Sequence, residues 1–205
     1  MTRSLGQYPA AVRMLLALTV LLGLAYPLTV TGIALVAFGQ QANGSPVRID
    51  GRQVGSSLLG QSFADQRGDP LPQWFQTRPS AAGVTDDNPA GYDPTASGAS
   101  NLGPSNPDLV QLIEQRRDRV ADFNGVRPEQ VPPDAVTASG SGLDPQISPA
   151  YARLQVPRVA SARGLDPAEV RRLVEQYTDG RVLGFLGEPR VNVLRLNLAL
   201  ARLES

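Results

Sequence analysis

No charged residue lies between Arg13 and Arg48, and within that gap the run from Met14 to Gly39 is almost continuously apolar. At ~1.5 Å per residue a helix of this run exceeds the ~30 Å hydrocarbon core of a bilayer, so it spans with some tilt. A cleaved signal peptide is the competing reading, and Ala37-Phe38-Gly39 resembles a small-x-small cleavage site. Signal h-regions are only about 7–15 residues long, so the run is taken as a retained transmembrane anchor. Arg3, Arg13 and the terminal amine precede it, and Arg48 and Arg52 follow it closely. The side-chain count is a tie. The amine and the abutting Arg13 tip the balance toward an N-terminus inside the cell and a domain outside. The expected division is a short cytoplasmic tail (residues 1–13), an anchor helix (14–39) and an extracytoplasmic domain (40–205).

Composition removes several kinds of chemistry. The chain has no Cys and no His, and every basic residue is Arg, which leaves no thiolate, imidazole or lysine amine for nucleophilic or metal chemistry. Formal net charge is zero and no basic block occurs, so nucleic acid is not an expected partner. The 20 glycines and 18 prolines exceed the usual ~12% for the two together. The soluble part is therefore loop-rich, but 41% hydrophobic content still permits a packed core. The expected fold class is α+β: one N-terminal transmembrane helix and one loop-rich mixed α/β domain.

Within that domain, Val47–Gln53 alternates like a short strand. A Pro-, Gly-, Asn-, Asp- and Ser-rich stretch runs from about Gln66 to Asn106. It holds Trp74, Phe75 and Tyr92, and such aromatics predict order against the domain or a partner. Helices are predicted to begin at Asn106-Pro107, ending near Gly125, and at Ser148-Pro149, broken or kinked by Pro157. A third starts at Asp166-Pro167 with Glu169 completing a capping box. Arg181–Leu186 reads as a strand. Asn192 caps a last helix, although the even-numbered leucines from Leu194 to Leu200 fit a strand as well.

Candidate functional residues are few. Thr19 and Gly23 form a small-xxx-small pair and Pro27 frees a carbonyl, features that suit either a partner helix or an ordinary lipid-facing anchor. Asp86, Asp87 and Asp93 offer carboxylates for acid–base chemistry or a cation, or are simply solvated. Gly140-Ser141-Gly142 is a short glycine turn without the rest of a nucleotide fingerprint, and neither a phosphate loop nor a GxSxG elbow occurs.

Longer motifs are more specific. They include Leu59-Gly60-Gln61-Ser62-Phe63, Phe75-Gln76-Thr77-Arg78-Pro79-Ser80-Ala81 and the run from Tyr92 to Pro107 that opens Tyr92-Asp93-Pro94-Thr95-Ala96-Ser97-Gly98. The run Val136 to Ser148, then Pro157-Arg158-Val159-Ala160, and Val191-Asn192-Val193-Leu194 with Leu196-Asn197-Leu198-Ala199-Leu200 complete the set. Together they resemble the C subunit (KdpC) family of Kdp-type potassium-transporting ATPases, over essentially the whole chain. Arg195 departs from relatives that often carry an acid there.

The resemblance implies a non-catalytic subunit of a high-affinity potassium uptake complex in the cell membrane. Its partners would be a potassium-conducting A subunit, an ATP-hydrolysing P-type B subunit, a small F subunit and the lipid bilayer. ATP and potassium would be handled by the complex, with no cofactor bound stably here. The family role is assembly, together with raising the B subunit's affinity for ATP as a catalytic chaperone. A nucleotide contact carried over from the family falls on Gln155, whose competing role is a satisfied helix-end amide. Partner contacts are expected at Thr19, Gly23, Pro27, Asp86, Asp87, Tyr92 and Asp93. An anchored extracellular ligand-binding module and an anchored hydrolase using the loop carboxylates are the alternatives from other classes.

Overall fold

The computed structural model describes residues 7–204; the outer part of the expected tail, with Arg3, lies outside the described residues. The chain divides into two compact units, one running through Val54 and the other beginning at Gly55.

In the first unit a continuous helix of 31 residues spans Gln7–Ala37, and none of its residues is buried in protein. It starts earlier than the apolar run, so Arg13 is helical and its Nε donates to the Pro9 carbonyl. The helix has three parts: α1 (Gln7–Val20), a π-helical turn (Leu21–Ala25) and α2 (Tyr26–Ala37). Pro27 explains the widened turn. A proline has no N–H, and its ring collides with the carbonyl four residues back, which here belongs to Gly23. Opening to the i→i−5 register, in which the Tyr26 N–H reaches the Leu21 carbonyl, removes that collision while keeping the backbone paired. Thr29 Oγ1 also donates to the Ala25 carbonyl at 2.7 Å. Phe38 leaves helical geometry and a short α3 (Gly39–Ala42) follows.

The expected strand at Val47–Gln53 is instead a hairpin, β1 (Pro46–Ile49) and β2 (Arg52–Ser56). Asp50 and Gly51 both have positive φ (48° and 78°), the geometry of a two-residue turn that reverses the chain.

The second unit contains α4 (Pro107–Asn124), α5 (Pro149–Arg163), α6 (Pro167–Gln176) and α7 (Val193–Ala201). They accompany a small antiparallel sheet of order β3-β5-β4, formed by Gln146–Ile147, Arg190–Asn192 and Thr178–Asp179. Val191 sits in register with Ile147 on one side and Thr178 on the other. The helix starts follow the cap chemistry: Asn106 accepts from Asp108 N–H, Ser148 from Tyr151 N–H and Asp166 from Ala168 N–H. Asp166 thus serves the second helical amide, not the amide of Glu169 that a capping box requires. Gly125 and Gly164 close α4 and α5 in left-handed conformation.

Pro157 does not end α5, which continues to Arg163. Proline forfeits the bond to the Arg153 carbonyl, but both residues are exposed, so water can satisfy that carbonyl. Meanwhile Val156, Val159 and Ala160 stay packed in the core. Asn192 Oδ1 accepts from Arg195 N–H, and the leucine-rich end is the helix α7. Its ambiguous pattern has a physical origin: Leu194, Leu196 and Leu200 are all buried, and a helix buried on most sides loses its amphipathic signature. The core joins Leu196 and Leu200 to Val170, Leu173 and Val174 of α6, and to Tyr151, Val191 and Phe75.

Phe75 comes from the long segment with almost no regular structure, and a buried amide explains how it stays there. Asn197 Oδ1 accepts from the Phe75 N–H at 2.9 Å while its Nδ2 donates to the Phe75 carbonyl at 3.0 Å. We expect Asn197→Ala to leave both main-chain groups buried without partners and to cost about 2–4 kcal/mol. Thermal unfolding of the full-length chain reads this, and an unchanged Tm would contradict it.

Candidate functional site

Gln155 projects from α5 and is fully buried. Its Oε1 accepts from the Gln76 N–H at 2.7 Å and from Arg158 Nη2 at 2.7 Å, and its Nε2 donates to the Gln76 carbonyl at 3.1 Å. The two residues Phe75 and Gln76 are thus gripped from opposite elements, by Asn197 of α7 and Gln155 of α5. Each amide imitates a neighbouring β-strand for one residue. Gln76 continues the pattern, its Nε2 donating to the carbonyls of Phe63, Leu71 and Trp74.

Arg158 lies one turn on. Among the described residues its guanidinium has no carboxylate partner; it donates to Asn124 Oδ1 and to the carbonyls of Pro72 and Trp74, and it stacks over the Phe123 ring at 4.3 Å. Burial pushes its pKa down to about 10, which still leaves it charged at neutral pH. Arg163 makes a parallel contact, donating to the Gln73 carbonyl and stacking on Trp74 at 4.2 Å.

The segment after Gln76 is fixed by a second set of bonds. Arg78 pairs with Asp144 at 3.0 Å and donates to the Thr137 carbonyl. Ser80 Oγ donates to the Gly142 carbonyl at 2.7 Å and accepts from the Tyr92 N–H. The Gly140-Ser141-Gly142 turn serves this packing. A Cβ on Gly142 would sit 2.7 Å from both Ala82 Cβ and the Gly98 carbonyl, so only glycine allows the loop to close on it.

Of the residues singled out in the sequence, Tyr92 is turned into its own domain. Its hydroxyl donates to the Arg78 carbonyl at 2.7 Å, its φ is +62°, and burial raises its pKa to about 12. Asp93 Oδ1 accepts from the Thr95 N–H and hydroxyl, and those bonds hold its pKa below the usual carboxylate value. Asp86 and Asp87 are exposed at the tip of the turn closed by Thr85 and Asn88. Among the described residues no group of three acidic side chains is placed to hold a metal ion.

One open cleft of about 640 Å³ adjoins this loop, lined by Gln76, Tyr92, Tyr151, Arg116 and Arg119 among others. Arg116 Nη1 donates to the Val136 carbonyl, and burial, then the neighbouring Arg119, lower its pKa. What the cleft offers is positive charge for an acidic or carbonyl-bearing partner. The sequence pattern assigns no role to Arg116 or to Arg158, although Arg158 stands in the Pro157–Ala160 motif. The only available signal was a lone cation on the apolar side of each helical pattern.

The matched family profile, described as the K+-transporting ATPase c chain, covers residues 8–202. The chain belongs to the KdpC family. It is 54% identical over 200 residues to the potassium-transporting ATPase KdpC subunit of Kineococcus radiotolerans, covering 98% of this chain and 95% of that one. The corresponding protein of Sorangium cellulosum is 58% identical over 194 residues, covering 94% and 95%. That of Streptomyces coelicolor is 47% identical over 214 residues, covering 99% and 95%. The KdpC match embraces the anchor helix, the long loop and the amide-clamped core together. Tyr92→Phe should cost about 1 kcal/mol through one lost hydrogen bond, and Gln155→Ala about 2–4 kcal/mol, because three donors and acceptors lose partners. Denaturant titration of the two variants checks that order.

Proposed function

We propose that this chain is an anchored, non-catalytic subunit of a potassium-transporting ATPase complex, and that it serves the assembly of a potassium-conducting subunit, an ATP-hydrolysing subunit and a small F subunit. The observation that carries the reading is the KdpC match over residues 8–202, which leaves neither the anchor nor the domain outside it. A tag on this chain should recover at least two larger membrane proteins from mild detergent. Recovery of the chain alone would refute the assignment.

The reading includes a domain on the outer face of the cell membrane, supported by the arginine balance around the span. Protease added to intact spheroplasts should then remove the domain and leave the anchor; protection until lysis would reverse the topology. Within the membrane, Thr19, Gly23 and Pro27 lie on or beside the π-helical turn, where Gly23 presents no side chain to a neighbouring helix. Gly23→Leu should therefore reduce recovery of the complex more than Leu21→Ala does.

The proposed role in ATP use is to raise the ATP affinity of the P-type subunit through assembly contacts. Gln155 already spends its amide on Gln76 and Arg158, and an ATP contact through it requires breaking that clamp. Assembled complexes carrying Gln155→Ala and Asn197→Ala should show similar ATP dependence of hydrolysis. A selective rise in the KM for ATP with Gln155→Ala would restore direct nucleotide binding.

The loop from Arg78 to Pro107 is the proposed contact with the potassium-conducting subunit. Its outward residues include Val84 to Asp87 and Pro94 to Ser97, whose shape is held by the bonds of Tyr92 and Asp93. Asp86 and Asp87 would raise the cation concentration near a pore mouth, within a Debye length of ~8 Å at physiological ionic strength.

A further inference from the structure

The connection between β4 and β5 is an exposed excursion whose tip is apolar. Every residue from 179 to 189 is exposed, and at the tip Leu183 is 82% accessible, Phe185 73% and Leu186 58%. Single exposed leucines are ordinary, but three large apolar side chains on one turn, beside a half-exposed Val182, form a patch of the kind that marks an interaction site. The turn is also well held. Val182 and Leu186 exchange both main-chain hydrogen bonds, at 2.9 and 3.0 Å, and the Gly184 N–H donates to the Arg181 carbonyl. Below them Arg181 and Glu188 pair at 2.8 Å. Leu183 occupies a left-handed conformation (φ 55°) that costs a non-glycine residue energy, so its bulk is displayed at some expense. At the base of the same excursion, Glu188, Pro189 and Arg190 help line an open cleft of about 610 Å³. Arg190 Nε there is buried without a hydrogen-bond acceptor among the described residues.

We propose that the Val182–Leu186 turn is an apolar plug that seats in a hydrophobic pocket on another subunit of the ATPase complex. The inference rests on the reading of this chain as a complex subunit. Charge selects a protein over a lipid surface. Asp179, Arg181, Glu188 and Arg190 sum to zero, and the Arg181–Glu188 pair neutralises the ends of the turn, so nothing draws it to anionic headgroups. Apolar, charge-depleted contact centres with satisfied donors around them are the anatomy of protein interfaces. A turn already closed by its own hydrogen bonds also loses little conformational freedom on docking.

The test uses the tagged full-length chain in its complex. Leu183→Ser with Phe185→Ser should leave the Tm of the isolated chain unchanged and weaken retention of the larger subunits by at least about tenfold, as loss of a central anchor does. Separately, Phe185 is replaced by the photoreactive residue p-benzoylphenylalanine, and adducts are identified by mass spectrometry. Crosslinking to a co-purifying subunit supports the plug; crosslinking only to lipid, or only to a second copy of this chain, overturns it. Equal retention by wild type and double variant overturns the plug alone. Failure of the wild type to retain any partner overturns the subunit assignment with it.

Discussion

Two buried carboxamides, Asn197 and Gln155, hold this domain together by acting as strands that are not there. A chain segment rich in Pro and Gly cannot easily fold into a sheet, yet its main-chain N–H and C=O groups need partners wherever it crosses the core. At Phe75 and Gln76 those partners are side chains from α7 and α5, each giving one donor and one acceptor. The arrangement lets the aromatic ring of Phe75 enter the core with no exposed surface and no unpaired backbone. Asn192 repeats the device, capping α7 with Oδ1 and donating Nδ2 to the Ser57 carbonyl. The loop-rich half of the domain is therefore fixed to its helices by hydrogen bonds more than by a continuous ladder.

A similar economy governs the charged groups. Arg158 is half-buried and has no carboxylate partner among the described residues; the negative ends of main-chain carbonyls together with the Phe123 face take the place of a counter-ion. Carbonyl dipoles fixed by the fold need no second buried charge, so the desolvation cost of an ion pair is incurred for one partner only. Because Arg158 also donates to Gln155, the cation and the amide clamp form one network, and perturbing either loosens the Pro72–Gln76 segment. Arg163 on Trp74 extends that network along α5.

In the N-terminal helix, which is long and apolar enough to cross a membrane, a widened turn answers a local conflict. Pro27 sits inside that helix, and the π-helical register from Leu21 to Ala25 keeps the backbone paired while making room for the ring. A site of this kind, with Gly23 inside it, gives a neighbouring helix a place of close approach. This joins the anchor to the proposed assembly role by the same logic as the exposed turn of the soluble domain: both present shape without charge.

The sequence by itself determined the N-terminal helix long and apolar enough to cross a membrane, the α+β class, the starts of α4 to α6 and the family, because each rests on local chemistry, while it left α7 open between helix and strand. An uncharged apolar run, an Asn or Ser before a proline, and a glycine after a helix carry their consequences within a few residues. It did not determine that Pro157 lies inside a helix, that Asp50-Gly51 divides a strand into a hairpin, or that Val182–Leu186 turns outward. Nor did it show that Tyr92 faces inward and that the Gln155 amide is wholly engaged. The hairpin and the outward turn close on local bonds that the alternating apolar pattern concealed, whereas the amide clamps join groups far apart in the chain, such as Asn197 with Phe75, whose 122-residue separation leaves no periodic trace. Only the tertiary structure brings a lone polar side chain in an apolar helix to the one main-chain site that needs it, because an unpaired buried amide costs too much to sit anywhere else.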